Sequence, residues 1–295
     1  IVEATGAILL GIYWKDKFDS LFELSFNAIF HSISAFCNAG FSLFDNSLTQ
    51  FVSNVPIILI FSMLIIIGGL GFPVLYNLFE VRKKKQPFSF LRLQTKIALY
   101  VTGLMIVLGT IFIWIGEYQY SFQSLPIKDQ FWLSFFHSVS ARTAGFNSID
   151  LSLMHSSTLL VMIILMMVGA SPGSTGGGIK TTTVGVLMIT FWQTIKSSKN
   201  IYMAGRQLHT DVILKAVSII ILFLTTGFVF FYLMLRIESF EIMELLFETF
   251  SALGTVGYSL GITEQLSKWG KMLIIVLMFI GRLGPLTVAF ALSRE

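Results

Sequence analysis

Long apolar stretches, separated by short mixed segments, dominate the chain. A helix needs about 20 consecutive apolar residues to cross a bilayer. The pattern predicts continuous spanning helices over residues 52–79, 93–116, 212–235 and 271–292. One further span starts at Ser157, breaks at Gly169 and resumes from Thr181 to Trp192. The apolar start, residues 1–13, is interpreted as the end of an outer helix.

Three shorter amphipathic segments are predicted to be pore helices that enter the membrane without crossing it. They are residues 21–36, 130–141 and 240–253. At 1.5 Å per residue, the first of them would extend roughly 24 Å and is expected to enter about half of the membrane. Each one leads into a glycine loop and then a long apolar run, so each unit is predicted to be helix, pore loop and helix.

The three glycine loops repeat one pattern of a polar residue, a small apolar residue, glycine and an aromatic. The copies are Asn38-Ala39-Gly40-Phe41, Thr143-Ala144-Gly145-Phe146 and Thr255-Val256-Gly257-Tyr258. A second glycine motif follows each copy, beginning at Gly68, Gly169 and Gly281. Three copies of a two-part signature indicate an internal repeat. The predicted repeats are residues 1–92, 93–206 and 207–295.

Loops of this kind are typical of an ion filter. A Thr-Val-Gly-Tyr sequence in an apolar protein suggests backbone carbonyls that replace the water around a potassium ion. Glycine adopts backbone angles that a side chain forbids, so the chain can approach the ion closely. The residues before each glycine would offer carbonyls, and Phe41, Phe146 and Tyr258 would pack outward and hold the loops. Simple turn glycines are the alternative, which the repetition disfavours.

Composition places the chain in the membrane class. Apolar residues make up 55% and charged residues 12% of the sequence, and the mean hydropathy is +0.80, values too apolar for a soluble domain. The net charge of +4 is therefore interpreted as a topology signal and not as a nucleic-acid site. The single cysteine, Cys37, excludes an internal disulfide or a multi-cysteine metal site, and is expected to pack behind the first loop.

Basic residues predict the orientation. The cluster at residues 82–85 and the later Lys196, Lys199 and Arg206 should be cytoplasmic by the positive-inside rule. Acidic links before the pore helices, such as Glu238 and Glu241, would then lie outside. All three filter loops are thus expected to enter from the outer face.

The break at Gly169, in the span over residues 157–192, is predicted to gate the pore. Non-helical backbone at membrane depth is tolerated where it is buried in protein or borders water, so a glycine-rich loop below the filter would plug the pathway. The predicted gate residues are Gly169, Ala170, Ser171, Pro172, Gly173, Ser174, Thr175, Gly176, Gly177, Gly178, Lys180 and Arg282. A helix-packing break is the alternative. The spacing also misses that of a phosphate-binding loop by one residue.

Charged and titratable side chains in the apolar segments need partners. Arg282 would cost about 2.5–3.5 kcal/mol on insertion scales, and the carbonyls of the predicted gate loop are its expected partner; the alternative is a packing arginine near the cytoplasmic face. Arg142 is expected either to bond filter carbonyls or Glu248, or to face solvent. His31 and His137 share one repeat position, which favours packing over metal binding.

The three filter motifs and the segment 169–181 resemble the Trk/Ktr/HKT superfamily of potassium transporters, most closely the KtrB-type ion-conducting membrane subunit of bacterial Ktr systems. The resemblance implies an all-α integral membrane fold in which four helix–pore loop–helix repeats surround a central pore, of which this sequence shows three, similar to the second, third and fourth. It identifies the chain as a transporter and not an enzyme.

That resemblance further implies channel-like potassium uptake across the bacterial plasma membrane, with K⁺ bound at the filter, no cofactor, and a gate formed by the intramembrane loop. Implied partners are membrane lipid, a second copy in a homodimer and a cytoplasmic ring of nucleotide-binding, KtrA-like RCK subunits. Sodium-coupled symport is a trait of the family. Sodium or mixed Na⁺/K⁺ transport by the same fold, and an enzyme that uses the 173–181 loop on phosphate, are the alternatives.

Overall fold

The computed structural model describes residues 1–197, 201–203 and 206–284. This part of the chain is helical apart from a short antiparallel pair of strands, β1 (Tyr202–Met203) and β2 (Arg206–Gln207). The α-helices are α1 (Val2–Tyr13), α2 (Leu21–Phe36), α3 (Val55–Leu70), α4 (Phe72–Lys83), α5 (Leu93–Glu117), α6 (Ile127–Ser140), α7 (Ser156–Met167), α8 (Thr181–Ile195), α9 (Thr210–Ile237), α10 (Ile242–Gly254) and α11 (Lys268–Leu283).

Two of these helices, α5 and α9, are long and apolar enough to cross a membrane unbroken, with 25 and 28 residues. They match the spans expected at 93–116 and 212–235. The bent pair α3 and α4 would be a third if it counts as one span.

The prediction of one continuous helix over residues 52–79 is wrong. The chain breaks at Gly71, and α3 and α4 meet at an angle of 95°. Gly71 has a φ of +79°, a value that residues with a side chain rarely adopt. Pro73, in the first turn of α4, carries no backbone N–H. The Gly-Gly-Leu-Gly-Phe-Pro sequence therefore turns the chain instead of carrying it onward.

The pore helices follow the predictions closely. The first, α2, has the expected bounds, and its start is fixed by Ser20, whose side chain accepts a hydrogen bond from Phe22 N. The third, α10, starts with a capping box between Glu241 and Glu244. The second, α6, begins three residues before the expected Gln130 because Pro126 precedes its first turn.

Two other predictions concern helix ends. The break expected at Gly169 is present, since residues 168–180 separate α7 from α8. The last helix, expected to continue to Leu292, ends at Leu283 because Gly284 has a φ of +87°. Residues 285–295 and Lys199 lie outside the described residues, as does the side chain of Arg206.

Packing follows the chain order around one centre. The pore helix α2 lies against α1 and α3, α6 against α5 and α3, and α10 against α9, α11 and α7. Thus α6 also contacts α3, the helix that follows the first glycine loop, and α10 also contacts α7, the helix that follows the second glycine loop. Large side chains at these contacts, such as Phe61, Phe136 and Phe247, are fully buried. This arrangement brings the three glycine loops together.

Candidate functional site

The three glycine loops meet backbone to backbone. A Cβ atom added to Gly40 would lie under 3.0 Å from the Ala144 carbonyl oxygen, and one added to Gly145 under 3.0 Å from the Val256 carbonyl oxygen. The first loop thus packs against the second, and the second against the third. Close approach of this kind needs glycine at both positions.

All three loops have the same unusual backbone. The polar first residue has a positive φ in each copy, 50° at Asn38, 78° at Thr143 and 55° at Thr255. The glycine two residues later also has a positive φ, 72°, 78° and 90° in chain order. A left-handed residue other than glycine costs of the order of 1–3 kcal/mol and persists only where its surroundings enforce it, often at functional sites. Its recurrence at one repeat position identifies the loops as equivalent constructions.

The pore helices enforce this backbone. In each copy a serine carbonyl near the helix end accepts a hydrogen bond from the small residue before the glycine; the N···O distances are 2.9 Å for Ala39–Ser34, 3.0 Å for Ala144–Ser140 and 2.9 Å for Val256–Ser251. In the first two copies the serine hydroxyl also donates to the carbonyl of the aromatic, 2.8 Å from Ser34 to Phe41 and 2.7 Å from Ser140 to Phe146. The sequence analysis assigned these serines no role, although their recurrence was visible.

The equivalent position on each pore helix braces the residues after the loop. His31 Nε2 lies 3.1 Å from Ser42 Oγ, and His137 Nε2 lies 3.2 Å from Ser148 Oγ. Both rings are buried, so these histidines have the packing role that their shared position predicted. The third copy has Glu248 here, and its carboxylate accepts a hydrogen bond from Thr263.

Tyr258 links the second and third loops. Its hydroxyl donates to the Phe146 carbonyl oxygen at 2.9 Å and lies 3.2 Å from His137 Nδ1. The phenol ring stacks on Phe247 of its own pore helix, with 6.5 Å between ring centroids. One side chain therefore holds two loops in register.

The outward packing expected for the three aromatics holds for two of them. Phe146 and Tyr258 are buried, whereas Phe41 is 69% exposed. Phe146 packs against Phe61 of the preceding unit, with ring centroids 5.1 Å apart. Phe41 instead borders a cavity of about 460 Å³ that Gly257 also lines. The first and third loops are therefore separated by this open sector.

A polar cavity of about 760 Å³ lies beyond the three glycines. Residues that follow each loop line it, among them Asp45, Asn147, Asp150 and Ser259. Carboxylates and amide and hydroxyl oxygens at the entrance of a narrow passage favour cations over anions.

The segment between α7 and α8 lies on the other side of the loops. Gly177 N donates to Thr255 Oγ1 at 3.1 Å, and a Cβ on Gly176 would lie under 3.0 Å from Thr143 Oγ1. Thr175 Oγ1 is 3.4 Å from the Phe36 carbonyl oxygen at the end of the first pore helix. Residues 175–177 thus contact all three pore-loop units.

The α3–α4 bend fastens the other half of this segment. Ser171 N donates to the Gly69 carbonyl oxygen at 2.9 Å, and Phe72 N donates to the Gly173 carbonyl oxygen at 3.2 Å. A Cβ on Gly71 would lie under 3.0 Å from backbone atoms of residues 173 and 174. The bend that the sequence analysis missed is therefore part of the site.

The remaining predicted gate residues complete the turn. Gly169 N donates to the Ile179 carbonyl oxygen at 3.0 Å and Ala170 N to the Gly177 carbonyl oxygen at 3.4 Å. Ser174 N donates to the Ser171 carbonyl oxygen at 3.2 Å. Gly173 and Gly178 have positive φ values, and the ring of Pro73 lies against Gly173. Pro172 belongs to the same turn.

Three basic side chains, Arg282, Lys180 and Arg142, bind carbonyls of this segment. Arg282 Nη1 donates to the Thr175 carbonyl oxygen, which is the kind of partner that the sequence predicted for it. Lys180 Nζ donates to the Gly176 carbonyl oxygen at 2.7 Å. The lysine that a phosphate-binding loop would aim at its ligand is therefore directed to its own backbone.

The prediction of the hydrogen-bond partners of Arg142 is wrong. Its guanidinium Nη2 lies 3.2 Å from the Gly169 carbonyl oxygen and 3.4 Å from Thr102 Oγ1, not on a filter carbonyl or Glu248. Burial excludes the solvent-facing alternative, since Arg142 is 7% exposed. Arg142 stands one residue before Thr143, and the helix turn points its side chain down to the break.

Asn38 and Thr143 connect the first and second loops below the glycines. The Asn38 amide and Thr143 Oγ1 are 3.1 Å apart. With the amide oxygen accepting from Thr143, the amide nitrogen donates to the carbonyl oxygens of Ile65 and Ala35 at 3.2 and 3.3 Å. Sequence analysis gave both residues a role through their carbonyls and missed this side-chain contact.

Comparison with known proteins agrees with this architecture. The whole chain, residues 1–295, matches the TrkH family, described as "Cation transport protein". It is 40% identical to Ktr system potassium uptake protein B of Vibrio alginolyticus over 299 residues, covering 100% of this chain and 64% of that protein. It is 35% identical to the protein of the same name from Bacillus subtilis, covering 99% and 65%. It is 36% identical to the potassium/sodium uptake protein NtpJ of Enterococcus hirae, covering 99% and 65%.

The fold is also that of a solved structure. The crystal structure of the potassium transporter TrkH from Vibrio parahaemolyticus matches with a TM-score of 0.80 and 18% sequence identity, over 99% of this chain and 62% of that one. The chain thus spans slightly under two thirds of the length of the relatives that it matches.

Proposed function

The chain belongs to the TrkH family of cation transport proteins, which are ion transporters and not enzymes, and from that premise we propose that its three loops form part of a potassium-selective filter. The carbonyls of residues 38–40, 143–145 and 255–257 would replace the hydration shell of K⁺, whereas the Phe41 and Phe146 carbonyls accept hydrogen bonds from serine hydroxyls. The whole protein would then carry out channel-like potassium uptake, driven by the membrane potential.

One observation carries this proposal. The carbonyl oxygens of Ala144 and Val256 each lie against the filter glycine of the neighbouring loop. Such contacts between successive loops support an arrangement around a common axis, whereas turn glycines with only a local role would have no reason to meet. The left-handed first residues give each loop the same backbone toward that axis.

Potassium is favoured over sodium by the names of two relatives. The Ktr proteins of Vibrio alginolyticus and Bacillus subtilis are potassium uptake proteins. NtpJ is a potassium/sodium uptake protein at a similar identity, so sodium or mixed transport remains the second candidate. Competition between K⁺ and Na⁺ in the uptake assay below distinguishes the two.

The segment 169–180 is proposed to be the gate. It lies against the loops, where Thr175, Gly176 and Gly177 contact the three pore-loop units and would block the axis. Arg282 holds it through the Thr175 carbonyl and places a positive charge near the cation pathway. Opening would require that this contact break.

The wider assembly is proposed on the same basis. A fourth pore-loop unit would fill the sector beside Phe41 and Gly257 and complete the filter. The three repeats at 1–92, 93–206 and 207–295, a homodimer, and a cytoplasmic nucleotide-binding RCK-type partner that acts on the gate fit a Ktr-like system. The filter loops would face the outside of a bacterial plasma membrane and the basic turns the cytoplasm.

Substitution of a filter glycine tests the proposal. Gly145→Ala should place a methyl group on the Val256 carbonyl and strain a residue whose φ is +78°. The variant is expressed as the complete protein in a strain without its own potassium uptake. We expect potassium uptake to fall about tenfold or more, because the strain of the native loop conformation with alanine at residue 145 exceeds ~1.4 kcal/mol.

The matched control is Gly11→Ala, since a Cβ on Gly11 in α1 has no atom within 4 Å. It should transport like the wild type at equal amounts of inserted protein. Wild-type uptake with an unchanged K⁺/Na⁺ ratio in the Gly145 variant would contradict the filter.

A further inference from the structure

An apolar cavity lies between α5 and α8, away from the filter. It has a volume of about 260 Å³ and is lined by Leu93, Lys96, Ile97, Tyr100, Val101, Gly185, Met188, Ile189 and Met203. Its floor is formed by Ile97, Val101 and Met203, which are buried together. A dry apolar cavity binds apolar molecules and not water.

The rim of this cavity is exposed. Tyr100 and Met188 on its rim are 70% and 40% exposed, and α5 is one of the two unbroken helices that can cross a membrane. A surface of this kind faces acyl chains. A volume of about 260 Å³ has room for part of one acyl chain.

One charge stands at the end of this apolar cavity. Among the described residues, Lys96 is the only charged one that lines it, and it lies in the first turn of α5, after the basic cluster at residues 82–85. Its ammonium group donates one of its three N–H bonds to the Ser89 carbonyl oxygen at 2.8 Å. A lysine at the end of a membrane helix attracts anionic headgroups by about 1 kcal/mol.

The cavity is adjacent to the segment below the filter. Gly185 lies one turn after Thr181, the first residue of α8, and a Cβ there would lie under 3.0 Å from Ile97. Thr181 is tied to that segment, through Ser171 Oγ at 2.9 Å and through its N–H to the Ala170 carbonyl oxygen at 3.3 Å. Whatever fills the cavity therefore supports the start of α8 and the backbone attached to it.

We propose that this cavity is a binding site for one anionic phospholipid of the membrane, whose acyl chain lies between α5 and α8 and whose phosphate binds Lys96. The bound lipid stabilises the packing of α8 on α5, and with it the position of residues 169–180. The proposal does not depend on which ion the protein carries.

Native mass spectrometry of the delipidated complete protein tests the site, with equimolar dioleoyl phosphatidylglycerol and dioleoyl phosphatidylcholine as probes. The wild type should retain one phosphatidylglycerol per chain in preference to phosphatidylcholine. Met188→Trp fills the cavity from its rim and should lower retention about tenfold, the equivalent of ~1.4 kcal/mol. Met272→Trp, at a 57% exposed methionine of α11, is the matched control and should retain the lipid.

The charge is tested separately. Lys96→Gln should lower the preference for phosphatidylglycerol about fivefold, as expected for the loss of one lysine beside an anionic headgroup. The control Lys215→Gln removes an exposed lysine near the start of α9 and should leave the preference unchanged.

Hydrogen exchange over residues 181–189 measures the effect on α8. Phosphatidylglycerol should slow exchange in the wild type but not in Met188→Trp. If that variant fails to fold, Ile189→Phe fills the same cavity. Equal lipid retention by the cavity-filling and control variants would overturn the proposal, as would an unchanged lipid preference in Lys96→Gln.

Discussion

At the scale of single residues, one hydroxyl group forms a hydrogen bond between the third loop and the second. Tyr258 donates to the Phe146 carbonyl and meets His137, so it fixes the outer ends of two loops at once. A hydrogen bond of this kind contributes about 1 kcal/mol to stability, and its effect on the distance between carbonyls is larger than its energy suggests.

Tyr258→Phe removes the hydroxyl and keeps the ring. We expect the free energy of unfolding to fall by about 1 kcal/mol, and the selectivity for K⁺ over Na⁺ to fall with it because the second loop loses its anchor. Competition uptake assays measure the second effect. Tyr232→Phe, at a 62% exposed tyrosine of α9, should change neither quantity; equal selectivity of both variants would contradict the anchoring role.

Arg282 acts at the same scale but on the segment below the filter. Arg282→Ala removes the hydrogen bond to the Thr175 carbonyl, and bonds to charged groups contribute about 1.5–3 kcal/mol. If the segment is the gate, its closed position becomes less favourable and ion flux rises about tenfold.

Flux through the complete protein in vesicles measures this change. Arg236→Ala, which removes an arginine at the exposed end of α9, is the control and should leave flux unchanged. Equal or lower flux in correctly inserted Arg282→Ala would contradict the gate.

At the scale of elements, the bend between α3 and α4 supports the segment from the side. Gly71→Ala would combine a φ of +79° with a Cβ pressed onto residues 173 and 174. We expect a loss of about 2 kcal/mol or more in unfolding free energy.

Thermal unfolding in detergent measures the loss caused by the Gly71 variant. Gly103→Ala on α5 has no neighbouring atom within 4 Å of the added Cβ and should be stabilising by up to about 1 kcal/mol. A similar melting temperature for both variants would show that the bend does not depend on Gly71.

The same bend shows where the sequence was sufficient and where it was not. Pore helix α2 has the predicted bounds at both ends, since a polar segment precedes it and a glycine loop follows it. The 52–79 span was wrong because apolar periodicity looks the same on both sides of a turn, and the turn depends on the contact of Gly71 with Gly173, 102 residues further along the chain.

Side-chain partners followed the same division. Arg282 met the carbonyls expected from repeat symmetry. The partner of Arg142 was missed because its choice between Glu248 and Gly169 depends on the direction in which the end of α6 points. Local patterns therefore predicted the loops, and tertiary packing decided which side chains brace them.

At the scale of the whole molecule, the polar cavity lined by Asp45 and Asp150 and the basic cluster at residues 82–85 should lie on opposite sides of the membrane. In a version of the complete protein from which Cys37 and any other cysteine have been removed, the cysteine of Asp150→Cys should react with an impermeant thiol reagent on intact cells. Lys83→Cys should react only after the cells are made permeable. Labelling of Lys83→Cys on intact cells would reverse the proposed orientation.

The exposed ring of Phe41 and the open sector beside Gly257 have a consequence for how an ion is desolvated. A space of about 460 Å³ is large enough for several water molecules, so an ion bound by these loops as proposed would keep water on one flank while peptide oxygens replace it on the others. Under the proposed function, discrimination between K⁺ and Na⁺ would depend on removing this remaining water. The surface that closes this flank would then decide how strictly the pathway distinguishes the two ions.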